Sequence, residues 1–380
     1  MLKKLLISLL IILPFISNAS RVRVRILSGT DIASMFFIPV SNNYEIFSDT
    51  NKIYELSKAD TLFILVENKF IKLKAKNGKI GVFEKIYLKK KGFMNNFKIK
   101  SLHPESKEFM FDDDLEISVI DNKKLLLINN VDINYYVAGV MEAEGGRQAN
   151  MEFYKVQAIL CRTFVMSHYR RHEKEGYNVC DKVHCQVYRG RCKQSNILMA
   201  ALSTKGMVIA SDSNNLIIAS YHSNCGGQTV NSEDVWSKKI SYLRSVKDSF
   251  CVHSSNAFWT KKISVKDWEK YLLKKYKLTP KDSLHKNVDF SFHQPHRKVF
   301  LYDSTKINLR EIRTDWNLKS TFFEITRDGD NLIFKGRGFG HGIGLCQEGA
   351  MKMSKLGYNF RGIINHYFTN VKIVYQDIPK

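Results

Sequence analysis

From Arg21 to about Asn130 apolar and polar positions alternate in short runs: "RVRVRIL", "TLFILV", "KFIKLKAK", "KIGVFEKIYL", "DLEISVI" and "KKLLLI". A period of two sends successive side chains to opposite faces, so each run predicts a strand. Turn formers such as Asn77-Gly78 and Asp121-Asn122 stand between them. At Asn134 the period lengthens. "NYYVAGVMEAE" predicts one helix, broken by "GGRQANM". A second helix is predicted from Glu152 to about Arg171, with Phe153, Val156, Leu160 and Phe164 on one face. Strand-like runs return at "MVIAS", "LIIASYHS", "KVFLYD", "FFEIT" and "NLIFKG". "GYNFRGIINHYF" reads as a helix and "VKIVY" as a last strand. The fold class is α+β, with a strand-rich N-terminal region at 20–130 and a mixed domain at 131–376. A Lys-rich insert near 259–303 holds the helical stretch "VKDWEKYLLKKY". No repeat and no low-complexity linker interrupts the chain.

Residues 1–19 break this alternation. Lys3 and Lys4 precede "LLISLLIILPFI", and small residues follow at Ser17 and Ala19, the pattern of a cleaved signal peptide. The run is too short to span a bilayer. The expected mature protein is secreted or periplasmic and associated with the cell envelope. Its formal net charge falls from +22 to +20 when the two leader lysines are removed. Such a chain associates with polyanions. Outside the cytoplasm these are wall polymers and anionic lipid, so no nucleic-acid partner is expected. The excess of lysine over arginine, with abundant Asn and Ile, also fits a bias of genome composition.

"GRGFGHGIGLCQEGA" places glycine at every second position from Gly336 to Gly344. It matches neither the dinucleotide fingerprint nor the phosphate-loop pattern. In an extended segment these glycines share one face, against which a ligand or another backbone can lie directly. Arg337, Phe339, His341 and Ile343 fill the other face, and a helix from Cys346 to Leu356 follows. The expectation is a docking floor; close strand-to-helix packing is the other reading, and the two are compatible.

Four stretches stand together in order: "YYVAGVMEAEGG" with "VQAILCRTF", "CDKVHCQVYRG", "YHSNCGGQTVNSEDVW" and the glycine track. In this order and spacing the chain resembles the stage II sporulation protein D family from about Val131 to Val374. The resemblance implies an α+β fold around a glycan-binding cleft. It implies lytic transglycosylase activity, cleavage of peptidoglycan glycan strands with formation of 1,6-anhydro-muramic acid. One carboxyl group suffices for that chemistry. A protonated Glu donates to the glycosidic oxygen and then, as carboxylate, deprotonates the sugar's own C6 hydroxyl, so no second catalytic carboxylate is needed. The acid must hold its proton near neutral pH, which calls for a partly desolvated site.

Glu144 matches the family's catalytic position; Glu142, two residues earlier, is separated from it only by the motif. Arg162 matches an Arg of the helix motif, with a substrate-binding or supporting role, or a structural ion pair. Tyr221, His222, Ser223 and Asn224 end an apolar strand with groups suited to sugar hydroxyls and acetamides. Trp236 is either a sugar platform or a core residue. His341 and Gln347 complete the expected substrate contacts, and the glycine track becomes one wall of the groove. The family also covers non-catalytic proteins that enhance an N-acetylmuramoyl-L-alanine amidase, the second functional reading. A zinc-dependent wall hydrolase is a third.

All seven cysteines lie beyond the leader. His172, Cys180, His184 and Cys185 offer the donors of a tetrahedral zinc site, while a Cys180–Cys185 disulfide is the competing reading. Neither is needed for acid chemistry, so no cofactor is required for catalysis and any zinc is structural. Cys225 and Cys251 are a second candidate pair. Cys161 and Cys346 read as buried thiols, neither in a recognisable nucleophile setting.

Overall fold

The computed structural model describes residues 21–144, 148–236, 238–278, 290–301 and 307–377. The predicted leader at 1–19 and the glycines after Glu144 lie outside them. Twelve strands occupy residues 21–132: β1 Arg21–Arg25, β2 Ser34–Pro39, β3 Tyr44–Ser48, β4 Asn51–Leu56, β5 Leu62–Glu67, β6 Phe70–Ala75, β7 Gly78–Phe83, β8 Lys85–Lys90, β9 Asn96–His103, β10 Phe109–Asp112, β11 Asp114–Ile120 and β12 Lys124–Asp132. One sheet runs β1-β12-β11-β8-β3-β4 and gains β13 (Val179–Cys180), parallel to β1; the other runs β10-β9-β2-β5-β6-β7. In β1 the alternation works as expected. Val22 and Val24 are fully buried, while Arg21 reaches Asp114 and Arg23 pairs with Glu116 at 2.9 Å.

The chain passes from β12 straight into α1 (Ile133–Glu144), whose buried stripe includes Tyr136, Val137 and Val140. α2 (Met151–Ser167) and α3 (Ser195–Ser203) pack beside it. A row of rings joins these helices to the sheets: Phe37–Phe97 at 4.8 Å, Phe97–Phe111 at 5.8 Å, Phe111–Tyr188 at 6.0 Å and Tyr188–Tyr136 at 5.1 Å. One apolar core therefore runs from β1 through α1, α2 and α3. At ~25 cal/mol per Å² of apolar area removed from water, burial of these side chains is what fixes the helix that ends at Glu144 onto the sheets.

The remaining elements follow as β14 (Met207–Ser211), β15 (Tyr221–His222), α4 (Glu233–Trp236), β16 (Phe258–Ser264), α5 (Val265–Tyr276), α6 (Leu309–Asp315), β17 (Phe323–Asp328), β18 (Asn331–Arg337), β19 (Leu345–Cys346), α7 (Gln347–Lys355), α8 (Phe360–Tyr367) and β20 (Val371–Tyr375). β16, β18 and β17 form a three-stranded antiparallel sheet. With α5 and α6 it encloses a second core around Trp268, Leu301, Ile312 and Phe334. The Lys-rich stretch is thus part of a larger unit. Its helix α5 starts where the Ser264 hydroxyl accepts the Asp267 N–H, an N-cap.

The expected strand "LIIASYHS" is mostly absent. After the turn at Asn214, Ile217 bonds back to Ile209, and regular pairing resumes only at Tyr221–His222, parallel to β19. "KVFLYD" forms no named strand within its described residues.

Candidate active site

Glu144 is the last residue of α1. Its Oε2 accepts the Tyr221 hydroxyl, and its Oε1 accepts the Val187 backbone N–H at 3.3 Å. Burial raises its pKa above the ordinary carboxylate value, and the two donors, which favour the charged form, only partly offset that. Glu142 lies apart, accepting the Lys193 N–H at 3.1 Å. Two carboxylates separated by half a turn thus meet different surroundings, and only Glu144 is paired with a phenol.

Three elements build this corner. α1 brings Glu144; β15 brings Tyr221, held in register opposite Leu345 of β19; and the loop after β13 brings Val187. Cys161 of α2 lies 3.9 Å from the Tyr221 hydroxyl and accepts from Gln157 at 3.7 Å. Burial, reinforced by Glu144, pushes its thiol pKa up. A suppressed thiolate does not make a nucleophile.

His222 is buried, with Nδ1 3.1 Å from the Ile343 carbonyl, and its ring centre lies 5.5 Å from that of His341. Burial lowers both imidazole pKa values, that of His341 to about 4. Both rings are neutral at pH 7. His341 accepts the Ile343 N–H through Nδ1 at 3.0 Å, which leaves the proton on Nε2. Trp236 and His341 line a pocket of about 270 Å³ that also includes Arg310 and Arg313 from α6. Two expected sugar contacts thus meet at an opening beside the second core. Gln347 is half-buried at the first position of α7.

Other expected contacts are engaged within the protein. Arg162 is 1% exposed; its guanidinium donates to the carbonyls of Ala201 and Thr204 at 2.8 Å and to Asn134 Oδ1 at 3.0 Å. It closes the C-terminal end of α3, where carbonyls lack helical partners, and with Asn134 and Lys205 it lines an opening of about 320 Å³. The Asn224 amide donates to the Cys251 carbonyl, Ser254 and Glu348 and accepts from Gly226, all inside the fold. The Ser223 carbonyl accepts the Glu348 N–H at 3.0 Å, a backbone contact that does not occupy its half-buried side chain.

The glycine track departs from the expected flat strand. Gly338, Gly340, Gly342 and Gly344 have φ of +77°, +115°, +84° and +70°, conformations that side chains disfavour. A Cβ at each would meet the protein itself: the Asn224 carbonyl at 2.6 Å, His222 Cβ at 2.8 Å, Arg297 Cζ at 2.8 Å and the Ser220 carbonyl at 2.2 Å, respectively. At Gly336 it would meet the Trp259 ring at 1.9 Å. Close packing, the other reading of the track, accounts for all five.

All seven cysteines are free thiols. The ligand atoms of His172, Cys180, His184 and Cys185 lie within 4.8 Å of one another. Cys185 Sγ is 3.5 Å from His172 Nε2 and 3.6 Å from His184 Nδ1. On the far side of its ring, His172 Nδ1 meets Glu175 at 2.6 Å, the carboxylate–histidine pairing that orients a metal ligand. Two thiols, two imidazoles and that partner suit a zinc ion. Val187 follows two residues later, so this loop also positions the N–H on Glu144.

Residues 121–210 match the family profile described as "SpoIID: Stage II sporulation protein". The chain is 30% identical to the Stage II sporulation protein D of Bacillus subtilis (strain 168), across 66% of this chain and 76% of that one. It is 28% identical to the protein of the same name from Bacillus amyloliquefaciens, with the same coverage. The "Amidase enhancer" of Bacillus subtilis is 27% identical, across 60% of this chain and 39% of its own. The order of motifs, the α+β fold and these likenesses together make the chain a member of the stage II sporulation protein D family.

Proposed function

We propose that the protein is an extracytoplasmic lytic transglycosylase of peptidoglycan, with Glu144 as the acid and then the base. The observation that carries this is the setting of Glu144: a shielded carboxyl with its pKa raised by burial, at the end of α1 and bonded to the Tyr221 hydroxyl. The protonated carboxyl donates to the glycosidic oxygen as the bond to C1 of N-acetylmuramic acid breaks. The carboxylate then takes the proton of the C6 hydroxyl as that oxygen closes on C1. The Tyr221 hydroxyl and the Val187 N–H hold the carboxylate between these two steps. His341, Trp236 and Gln347 are proposed substrate contacts. His172, Cys180, His184 and Cys185 would hold a structural zinc ion, which when bound fixes the loop that carries Val187.

The test uses residues 20–380 and Glu144→Gln, each incubated with peptidoglycan and with peptide-free glycan strands. Mass spectrometry should find 1,6-anhydro ends from the parent protein, formed about 10²–10⁴ times more slowly by the variant. Ordinary reducing ends would mean that water is the nucleophile. The second reading, a non-catalytic partner of a wall amidase, draws on the likeness to the "Amidase enhancer". Intact glycan from both proteins, with undiminished glycan binding, would favour it.

A further inference from the structure

A second set of donors lies in the interior, away from the His172 loop. Cys225 follows β15, Cys251 lies in the loop before β16, and Cys346 caps α7. With Asp248 their ligand atoms fall within 4.8 Å of one another, and all four residues are buried. Cys225 Sγ is 3.4 Å from Cys251 Sγ and 3.2 Å from Asp248 Oδ2. Chance burial of apolar thiols does not explain three further features.

The first is the direction of the N–H groups. Cys346 Sγ accepts the backbone N–H of Cys225 at 3.3 Å and of Gly349 at 3.4 Å. Two N–H groups aimed at one sulfur at a helix start suit a sulfur that carries negative charge, as a metal-bound thiolate does; the Ser223 carbonyl lies 3.9 Å from the same sulfur. The second is Arg297, 8% exposed, beside these thiols. It donates through Nη2 to the Cys225 carbonyl at 2.7 Å and packs over the Phe322 ring at 4.9 Å. Its Nε and Nη1 have no partner among the described residues. A buried cation needs compensating negative charge, and protonated thiols supply none. The third is the space held for the carboxylate. Asp248 Oδ2 also accepts the Tyr367 hydroxyl at 2.9 Å, and a Cβ on Gly349 would stand 2.4 Å from that oxygen.

We infer that Cys225, Cys251, Cys346 and Asp248 form a second, structural metal site that takes a zinc-class divalent cation. Three thiolates and one carboxylate match a soft, four-coordinate ion. Binding releases the three thiol protons to solvent and changes no oxidation state. The thiolates and carboxylate outweigh the dication by two charges, and Arg297 offsets part of that excess. His222 pairs with Cys346 in the β15–β19 register, so the ion would lock together the two strands behind Tyr221.

The test begins from Cys180→Ser/Cys185→Ser in the chain of residues 20–380, which leaves the interior set untouched. Produced with zinc under reducing conditions, this variant should retain about one zinc per chain by elemental mass spectrometry. Its cobalt(II) form should show near-ultraviolet thiolate-to-metal absorption, and adding Cys251→Ser should abolish both signals. The cobalt spectrum of the double variant reads the site even where the triple variant fails to fold. A double variant that keeps no metal overturns the inference. So does a Cys225–Cys251 disulfide recovered by peptide mapping of the parent protein isolated from zinc-supplied cells with free thiols blocked at lysis.

Discussion

Glu144 sits under opposed influences: burial favours its neutral form, while the donors Tyr221 and Val187 favour its anion. The balance leaves its pKa raised, and a general acid works only while protonated. Activity should therefore fall as pH rises through that raised value. Tyr221→Phe removes a donor to the anion without opening the core. Its descending limb should move to higher pH while the maximum rate drops, because the carboxylate of the second step is less well held; a profile unchanged in position would remove Tyr221 from this role. Glu144 and Tyr221 were legible in the sequence because side-chain identity at motif positions signals them. Val187 was not, since its contribution is a backbone N–H that any residue but proline supplies. Asp248 and Glu348 escaped notice for a related reason: lone acidic residues carry no spacing signal until the fold gathers their partners.

Arg162 and the glycine track show how elements, rather than ligands, claim residues with a functional look. Truncating Arg162 to Met would remove three charged hydrogen bonds and leave the buried Asn134 Oδ1 without its donor, at a cost of about 3 kcal/mol. Chemical denaturation should report that loss with little change in the slope of the transition. Gly344→Ala combines a φ of +70° with a Cβ 2.2 Å from the Ser220 carbonyl. Strain of about 1–3 kcal/mol is expected, read as a lowered melting temperature; an unchanged one would mean that the backbone there relaxes freely. Helices α1, α2, α5, α7 and α8 were readable from the sequence pattern. At the glycines a period of two fitted both a docking floor and close packing; the structure shows the packing, with left-handed φ at Gly338, Gly340, Gly342 and Gly344.

At the scale of the molecule, the described residues form two apolar cores, one shared by both N-terminal sheets and α1, α2 and α3, the other enclosed by β16, β17, β18, α5 and α6. Trp259, Trp268 and Trp316 belong to or pack against the second core; Trp236 alone packs against the first. Tryptophan fluorescence thus reports mainly on the smaller unit and far-ultraviolet circular dichroism on the whole. Heating should give transitions that do not coincide if the cores melt separately, whereas superimposable curves would show them to be one cooperative unit. The sequence disclosed the Lys-rich helix of this unit but not its extent, because β17 and β18 return from beyond the predicted boundary.

Tyr221 owes its place to Leu345, a partner made much later by the ribosome. A growing chain has Glu144 and Tyr221 early, yet no strand to bring them together until its final segment emerges. Competence therefore arrives last. On the proposed reading, products cut short before Leu345 should leave no cleared band in a peptidoglycan zymogram, so that premature termination yields an inert polypeptide rather than an uncontrolled lytic one.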